Sequence, residues 1–284
     1  MFEPQWINTE RLGDGQAIEL YNFFLKKRRK KFPYKKQEYQ NIIEDINNKG
    51  FSVMRGALNR SHIESLNEKI QKSLKNSEIL KTNDDRYKTI KEPLLCCEEI
   101  IDLACSSPIY NIACEFYGCI PSLGVSKIHK SLVNTLPKTG TNFYHYDKNS
   151  LWFIKAFIYL NDVKDSGGPF TYVEGSHKDK IKKTNNSKMP EAFRFTDDEI
   201  EEYYGKENIK KITGNVGDII FANTTGIHKG TKPVDSERTM ITINFVIHPE
   251  DWMRDDRYQS VFSTSVVENK TKMPLFKYLN RIEK

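Results

Sequence analysis

No apolar run in the sequence approaches the roughly 20 residues needed to cross a bilayer. The start, "MFEPQWINTERLGDG", lacks the basic-then-apolar pattern of a secretory leader. Membrane-spanning and exported classes are therefore not expected, and the cytoplasm is the expected location. Cysteine is scarce: Cys96, Cys97, Cys105, Cys114 and Cys119 are odd in number and contain no CxxC pair. That usage suits reduced, partly buried thiols and not a disulfide framework. The chain also has no internal repeat and no low-complexity tract. Its glycine-containing stretches, Gly167-Gly168-Pro169 and Gly175-Ser176, are not followed by a helix start with Lys-Ser/Thr, so they read as turns and not as phosphate cradles.

What is present is enough for a folded core. The 284 residues are 38% hydrophobic and 12% aromatic, and the 29% of charged residues are mixed in sign, unlike a disordered polyelectrolyte. One domain over 1–284 is expected, since β-sandwich and barrel enzymes reach this size as single units. The net charge of +6 arises from 44 Lys and Arg against 38 Asp and Glu, most densely in "KKRRKKFPYKK" at 26–36. An anion or nucleic-acid patch is one reading of that stretch. A solvated segment is the better one, because Pro33 interrupts it and no nucleic-acid motif accompanies it.

Residues 1–120 read as mainly helical support. Apolar residues recur at helical spacing in "QEYQNIIEDINN" and in "SHIESLNEKIQKSL", where Ser61 and Glu64 fit a capping box. "GFSVMRGAL" reads as a short strand between them, and helices follow in "CEEIIDLAC" and, after Pro108, up to Gly118. From 121 to 250 the character changes. "WFIKAFIYLNDV", "PFTYVEGS", "GDIIFANTT" and "ERTMITINFVIHP" are rich in β-branched and aromatic residues and are divided by turn formers. The polar stretch 178–211 interrupts this β core, with a helix beginning at Thr196 whose capping box is completed by Glu199. A lid and an ordinary surface excursion are equal readings of that insertion. Residues 251–284 form a C-terminal extension.

Within "NFYHYDKN", His145 and Asp147 are two apart, so on an extended strand both point the same way, roughly 7 Å apart. Alone, this spacing fits a hydrogen-bonded core histidine as well as a pair of ligands. Downstream, "GNVGDIIFANTTGIHKGTKPVDSERTMITINF" adds His228 and, ten residues on, Arg238. Two histidines and a carboxylate can occupy one face of an octahedron and leave three positions open, the arrangement of non-haem Fe(II) oxygenases. Arginine can hold a carboxylate through two parallel hydrogen bonds, which lysine cannot match.

"HYD", "GGPFTYVEGSHK", "GDIIFANTTGIHKG" and "ERTMITINF" together resemble the phytanoyl-CoA dioxygenase family, over roughly residues 40–250. The resemblance implies an α+β chain with a mainly β core, a double-stranded β-helix (jelly roll, cupin-like) flanked by helices from the N-terminal half. It implies Fe(II), 2-oxoglutarate and O2 as cofactor and cosubstrates. His145, Asp147 and His228 would be the iron ligands, and Arg238 would bind the distal carboxylate of 2-oxoglutarate. Asn134, in "KIHKSLVNTLPKTG", and Lys130 are further cosubstrate contacts on this basis. Gly230 stands where the family often has a small hydroxyl residue, so on this basis Thr231, Thr239 or no residue at all makes that contact. Trp152 would line the substrate mouth or lie in the core. An aspartate at 147 points away from halogenation, since the related halogenases carry a small apolar residue there. The implied activity is hydroxylation of a small-molecule metabolite, coupled to formation of succinate and CO2. Desaturation, cyclisation or epimerisation by the same oxidant is the first alternative. A non-catalytic jelly-roll binding protein, or a cupin-like metalloprotein without 2-oxoglutarate, is the second. The basic surplus permits an anionic substrate. His177, His129, His62 and His248 are read as structural or surface residues.

Overall fold

The computed structural model describes residues 14–76, 80–90, 99–124, 126–147, 153–181, 189 and 193–247. Trp152, His248, Cys96, Cys97 and the 251–284 extension lie outside these residues. Two antiparallel sheets pack face to face. The larger has the strand order β1(Phe51–Met54), β11(Ile219–Asn223), β7(Ile154–Tyr159), β13(Arg238–Val246), β5(Lys127–Ser131), β3(Tyr87–Ile90), β2(Leu80–Asp84), with β4(Ser122–Leu123) also on β13. The smaller runs β10(Ile209–Ile212), β8(Phe170–Val173), β12(His228–Gly230), β6(Tyr144–His145), β9(Arg194–Phe195).

Alternation along the central strands explains why the large sheet has two different faces. Ile154, Ala156 and Ile158 of β7, Ile219 and Phe221 of β11, and Ile241, Ile243 and Phe245 of β13 face outward into the main core. There they meet Ile42 and Ile46 of α2(Gln40–Lys49), Ile63, Leu66 and Ile70 of α3(Arg60–Ser73), and residues of α4(Glu99–Cys105) and α5(Ile109–Tyr117). Each such Ile or Phe, fully withdrawn from water, contributes about 1.5–3 kcal/mol. The alternate residues Phe157, Tyr159, Ile220, Ala222 and Met240 face inward and pack on Phe170, Tyr172 and Ile212 of the small sheet. Tyr159 ties the sheets together: its hydroxyl donates to Ile212 O (2.6 Å) and accepts from Phe170 N–H (3.0 Å).

Within the mainly helical first 120 residues, 80–90 forms a hairpin, β2–β3, for which no expectation was stated and which extends the large sheet through β5. Two expectations are corrected here. The N-cap of α3 is Asn59, not Ser61; Asn59 Oδ1 accepts from His62 N–H (3.1 Å) and from the Ser61 hydroxyl (2.6 Å). The basic segment is only partly solvated. It ends α1(Asp14–Lys31), and Arg28 lies on that helix's inner face with Tyr21, Phe24 and Leu25, wholly buried. Its guanidinium donates to Ile120 O (2.8 Å), Ser122 Oγ (2.8 Å) and Ile247 O (3.3 Å), while Arg29 Nε donates to Tyr117 O (2.7 Å) at the end of α5. The expected box at Thr196 and Glu199 is formed, opening α6(Asp197–Tyr204). Within the 178–211 insertion, β9 pairs with β6, so this part of it is a sheet edge.

Candidate active site

His145 closes β6 and His228 opens β12, and the two are directly opposite in antiparallel register. Opposed residues share a face, which brings the imidazoles to a centroid separation of 4.4 Å. Each ring is fixed from behind by the backbone two residues earlier: His145 Nδ1 donates to Phe143 O and His228 Nδ1 to Gly226 O, both at 2.9 Å. A carbonyl only accepts, so Nδ1 carries the proton and Nε2 keeps its lone pair. Asp147 follows β6, positioned by its N–H donating to Thr224 O (2.9 Å). Its Oδ2 is 3.7 Å from His228 Nε2, and one ligand atom from each of the three residues falls within 4.8 Å of the others. Ligands about 2.1 Å from a metal and at right angles are about 3 Å apart, so a small contraction closes the site on an ion.

The electrostatics give the protonation that a metal requires. Burial pushes His145 down, and burial together with the neighbouring His145 pushes His228 down to about 3. For Asp147, burial alone would raise the carboxyl. The Lys155 ammonium and the two imidazoles outweigh it and hold the group well below the usual carboxylate range. Lys155 Nζ donates to Asp147 Oδ2 at 2.5 Å.

Arg238 starts β13 opposite Ser131 and is 2% exposed. Nη1 donates to Gly168 O and Nη2 to Ser131 Oγ (3.0 Å), while Nε has no hydrogen-bond partner. No carboxylate pairs with it among the described residues. Burial pushes its pKa down, so an anion would relieve a desolvated cation. Two glycines make room for it. Gly168 has φ +72°, a conformation that costs side-chain-bearing residues, and presents its carbonyl to Nη1. A Cβ on Gly230 would stand 2.9 Å from Nη2. Since Gly230 is two residues beyond His228 on one strand, the guanidinium sits about 7 Å along it from that histidine.

The other expected contacts are placed differently. Lys130 and Thr239 are opposed to one another in register, one step out of phase with Ser131 and Arg238, so they face the helices. Gln71 of α3 bonds both, accepting from Lys130 Nζ (3.0 Å) and donating to Thr239 Oγ1 (3.1 Å), and Lys130 also pairs with Glu237 (2.8 Å). They are not brought to the triad. Asn134 folds on its own loop, donating to Leu132 O (2.8 Å) and accepting from Leu136 N–H (3.1 Å). Thr231 hydrogen-bonds Thr171 (2.7 Å). His177 bonds Asn47 O (3.0 Å), and His129 stacks on Tyr87 at 5.2 Å. Sequence reasoning missed Ser131 and Lys155. Lys155 was legible only through phase, as the polar residue on the inward set of an otherwise apolar strand, and Ser131 lies on the largely polar β5, where nothing in the sequence singles it out.

No protein-family model matches the sequence, and no curated protein matches it. Solved structures do share its fold. The epimerase SnoN, in complex with Fe3+, alpha ketoglutarate and nogalamycin RO, aligns with a TM-score of 0.57 at 15% identity, covering 73% of this chain and 82% of its own. HygX from Streptomyces hygroscopicus, with nickel and 2-oxoglutarate bound, aligns with a TM-score of 0.53 at 15% identity over 74% of this chain and 87% of its own. EctD from S. alaskensis, with 2-oxoglutarate and 5-hydroxyectoine, aligns with a TM-score of 0.54 at 13% identity over 76% and 82%.

Proposed function

We propose that the protein is an iron(II)- and 2-oxoglutarate-dependent dioxygenase of the phytanoyl-CoA dioxygenase type. On this reading its two facing sheets are a double-stranded β-helix, and it hydroxylates a C–H bond of a small-molecule metabolite using O2 while 2-oxoglutarate becomes succinate and CO2. The observation that carries the reading is the convergence of His145, Asp147 and His228 beside a buried arginine with no carboxylate of its own among the described residues. The donor set suits Fe(II), and the unpartnered guanidinium edge suits the far end of a five-carbon diacid. Among the proteins that share the fold, SnoN was solved with Fe3+ and alpha ketoglutarate, HygX with nickel and 2-oxoglutarate, and EctD once with Fe and once with 2-oxoglutarate.

When bound, iron and 2-oxoglutarate supply an oxidant able to break a C–H bond. The chain's own residues do the rest. His145, Asp147 and His228 would hold the metal through three ligand atoms, leaving room for cosubstrate, O2 and the approach of substrate. The backbone carbonyls of Phe143 and Gly226 keep both Nε2 atoms aimed at the centre. Arg238, held by Gly168 and Ser131, fixes the diacid's reach and thereby its orientation. Phe157, Phe170 and Tyr172 wall the site with apolar surface and limit water.

Release of succinate that depends on iron and 2-oxoglutarate, screened against metabolites, tests this directly. His145→Ala and Asp147→Ala should abolish it, and full turnover in either variant refutes the assignment. Because one structural neighbour is an epimerase, product analysis decides between hydroxylation and epimerisation, desaturation or cyclisation.

A further inference from the structure

Two buried polar atoms beside the triad are used neither by it nor by Arg238. Inward positions on β13 alternate from Arg238 through Met240 and Thr242 to Asn244, and Asn244 is directly opposite Lys155 of β7. Asn244 is 3% exposed, and its amide oxygen has no hydrogen-bond partner among the described residues. A buried acceptor left unmet costs stability unless something donates to it. The second atom is the hydroxyl of Thr224, a wholly buried residue whose carbonyl accepts from Asp147 N–H; that hydroxyl is likewise unpartnered. Thr224 follows β11 and Asn244 is on β13, with β7 between them. Two strand spacings, about 10 Å of backbone, therefore keep the two atoms from pairing with each other.

Asn244 stands close to the metal ligands and far from Arg238. It is one strand spacing, about 5 Å, from Lys155, whose Nζ donates to Asp147 Oδ2 at 2.5 Å. Six residues of β13 separate it from Arg238, about 20 Å at strand rise, beyond the span of a five-carbon diacid anchored there. The unmet atom also fixes the chemistry of its partner. An amide oxygen only accepts, so the partner must donate, which excludes a carboxylate or a phosphate. Lys155 and Asp147 form a neutral pair beside it, so no net negative charge stands there to draw an ammonium. A neutral donor is left. A hydroxyl meets that requirement, and a second oxygen of the same molecule can pair with Thr224, whose hydroxyl both donates and accepts.

We propose that Asn244 is a substrate-specificity residue whose amide oxygen accepts a hydrogen bond from a neutral hydroxyl of the substrate, an inference that rests on reading the triad and Arg238 as an iron and 2-oxoglutarate site. Since Asn244 adjoins Lys155 and Lys155 touches Asp147, the hydrogen bond brings the carbons next to that hydroxyl toward the metal. It thereby selects among C–H bonds as well as among substrates.

The test uses the full chain loaded anaerobically with Fe(II) and 2-oxoglutarate, loading being read from the weak visible charge-transfer band. Calorimetric titrations then compare 1-butanol with its isomer methyl propyl ether, which keeps the oxygen and the carbons but has no O–H to donate, and with the ions butyrate and butylammonium. 1-Butanol should bind about tenfold or more tightly than each of the others. Asn244→Leu should remove that preference while the band still forms. Asn244→Ala, which cannot overfill the site, should do the same and covers the case in which Asn244→Leu fails to fold. If the band forms but 1-butanol binds no better than the ether or than either ion, or keeps its preference in the variants, the subsite is overturned and the cofactor reading stands. If wild-type protein gives no band, the cofactor reading fails and this inference falls with it.

Discussion

Replacing Arg238 by lysine separates charge from geometry at the cosubstrate end of the site. A guanidinium offers five N–H donors in a planar fork, and an ammonium offers three at one point. In the fold, one Nη1 donor is committed to Gly168 O and one Nη2 donor to Ser131 Oγ, leaving Nε and the remaining edge for a carboxylate. Lysine keeps the Coulombic attraction but cannot serve Gly168, Ser131 and both carboxylate oxygens together. At least one charge-assisted hydrogen bond is lost, worth about 1.5–3 kcal/mol. The affinity for 2-oxoglutarate should therefore fall roughly 10- to 150-fold. Calorimetric titration of the anaerobic Fe(II) protein measures this, with the 2-oxoglutarate KM of succinate formation as a second reading. Iron binding should be unchanged, because Arg238 makes no hydrogen bond to a triad residue. An Arg238→Lys variant that binds 2-oxoglutarate within twofold of wild type would refute the reasoning that the free guanidinium edge is the anchor.

Gly230→Ala places a Cβ 2.9 Å from Arg238 Nη2, so it should raise the 2-oxoglutarate KM about tenfold through a displaced guanidinium, with little change in iron affinity. Arg28→Met strips three acceptors of a buried cationic donor and should cost about 3 kcal/mol or more in denaturant unfolding. The metal-free protein should lose stability in acid. His129 and His228 both titrate near 3 in the fold, chiefly through burial, against an ordinary 6.5. Between those values the unfolded chain takes up protons that the folded one refuses. Stability should therefore be fully present above pH 6.5 and fall toward pH 3, by up to about 2 kcal/mol per histidine at pH 5; a flat profile across that window contradicts the burial argument.

Much of the site was written in the sequence as spacing. His145 and Asp147 two apart, His228 after a glycine turn, and Arg238 at the head of an apolar strand needed only the pairing of β6 with β12 and of β5 with β13 to converge. Strand phase was harder to read, because it is set by register between distant strands. Lys130 and Thr239 adjoin the anchoring pair in sequence yet face α3, whereas Ser131 and Lys155, which drew no attention, face inward. In the same way, Asn59 outcompetes Ser61 as a cap by accepting the serine hydroxyl itself. The hairpin at 80–90 joins the sheet through β5, a partner some forty residues on, and no local pattern encodes that pairing. Arg28 was hidden by its neighbours: a basic run looks solvated until the helix shows which member lies on the apolar face.

The central claim is that three side chains hold one ferrous ion while Arg238 presents a five-carbon diacid to it. Its most direct measurement is anaerobic titration of the purified protein, first with Fe(II) and then with 2-oxoglutarate, followed by metal analysis and visible absorption. The account predicts a single iron per chain and a weak visible band that saturates with 2-oxoglutarate, both lost in His228→Ala. Failure to retain iron, or iron bound with no band at saturating 2-oxoglutarate, would contradict it.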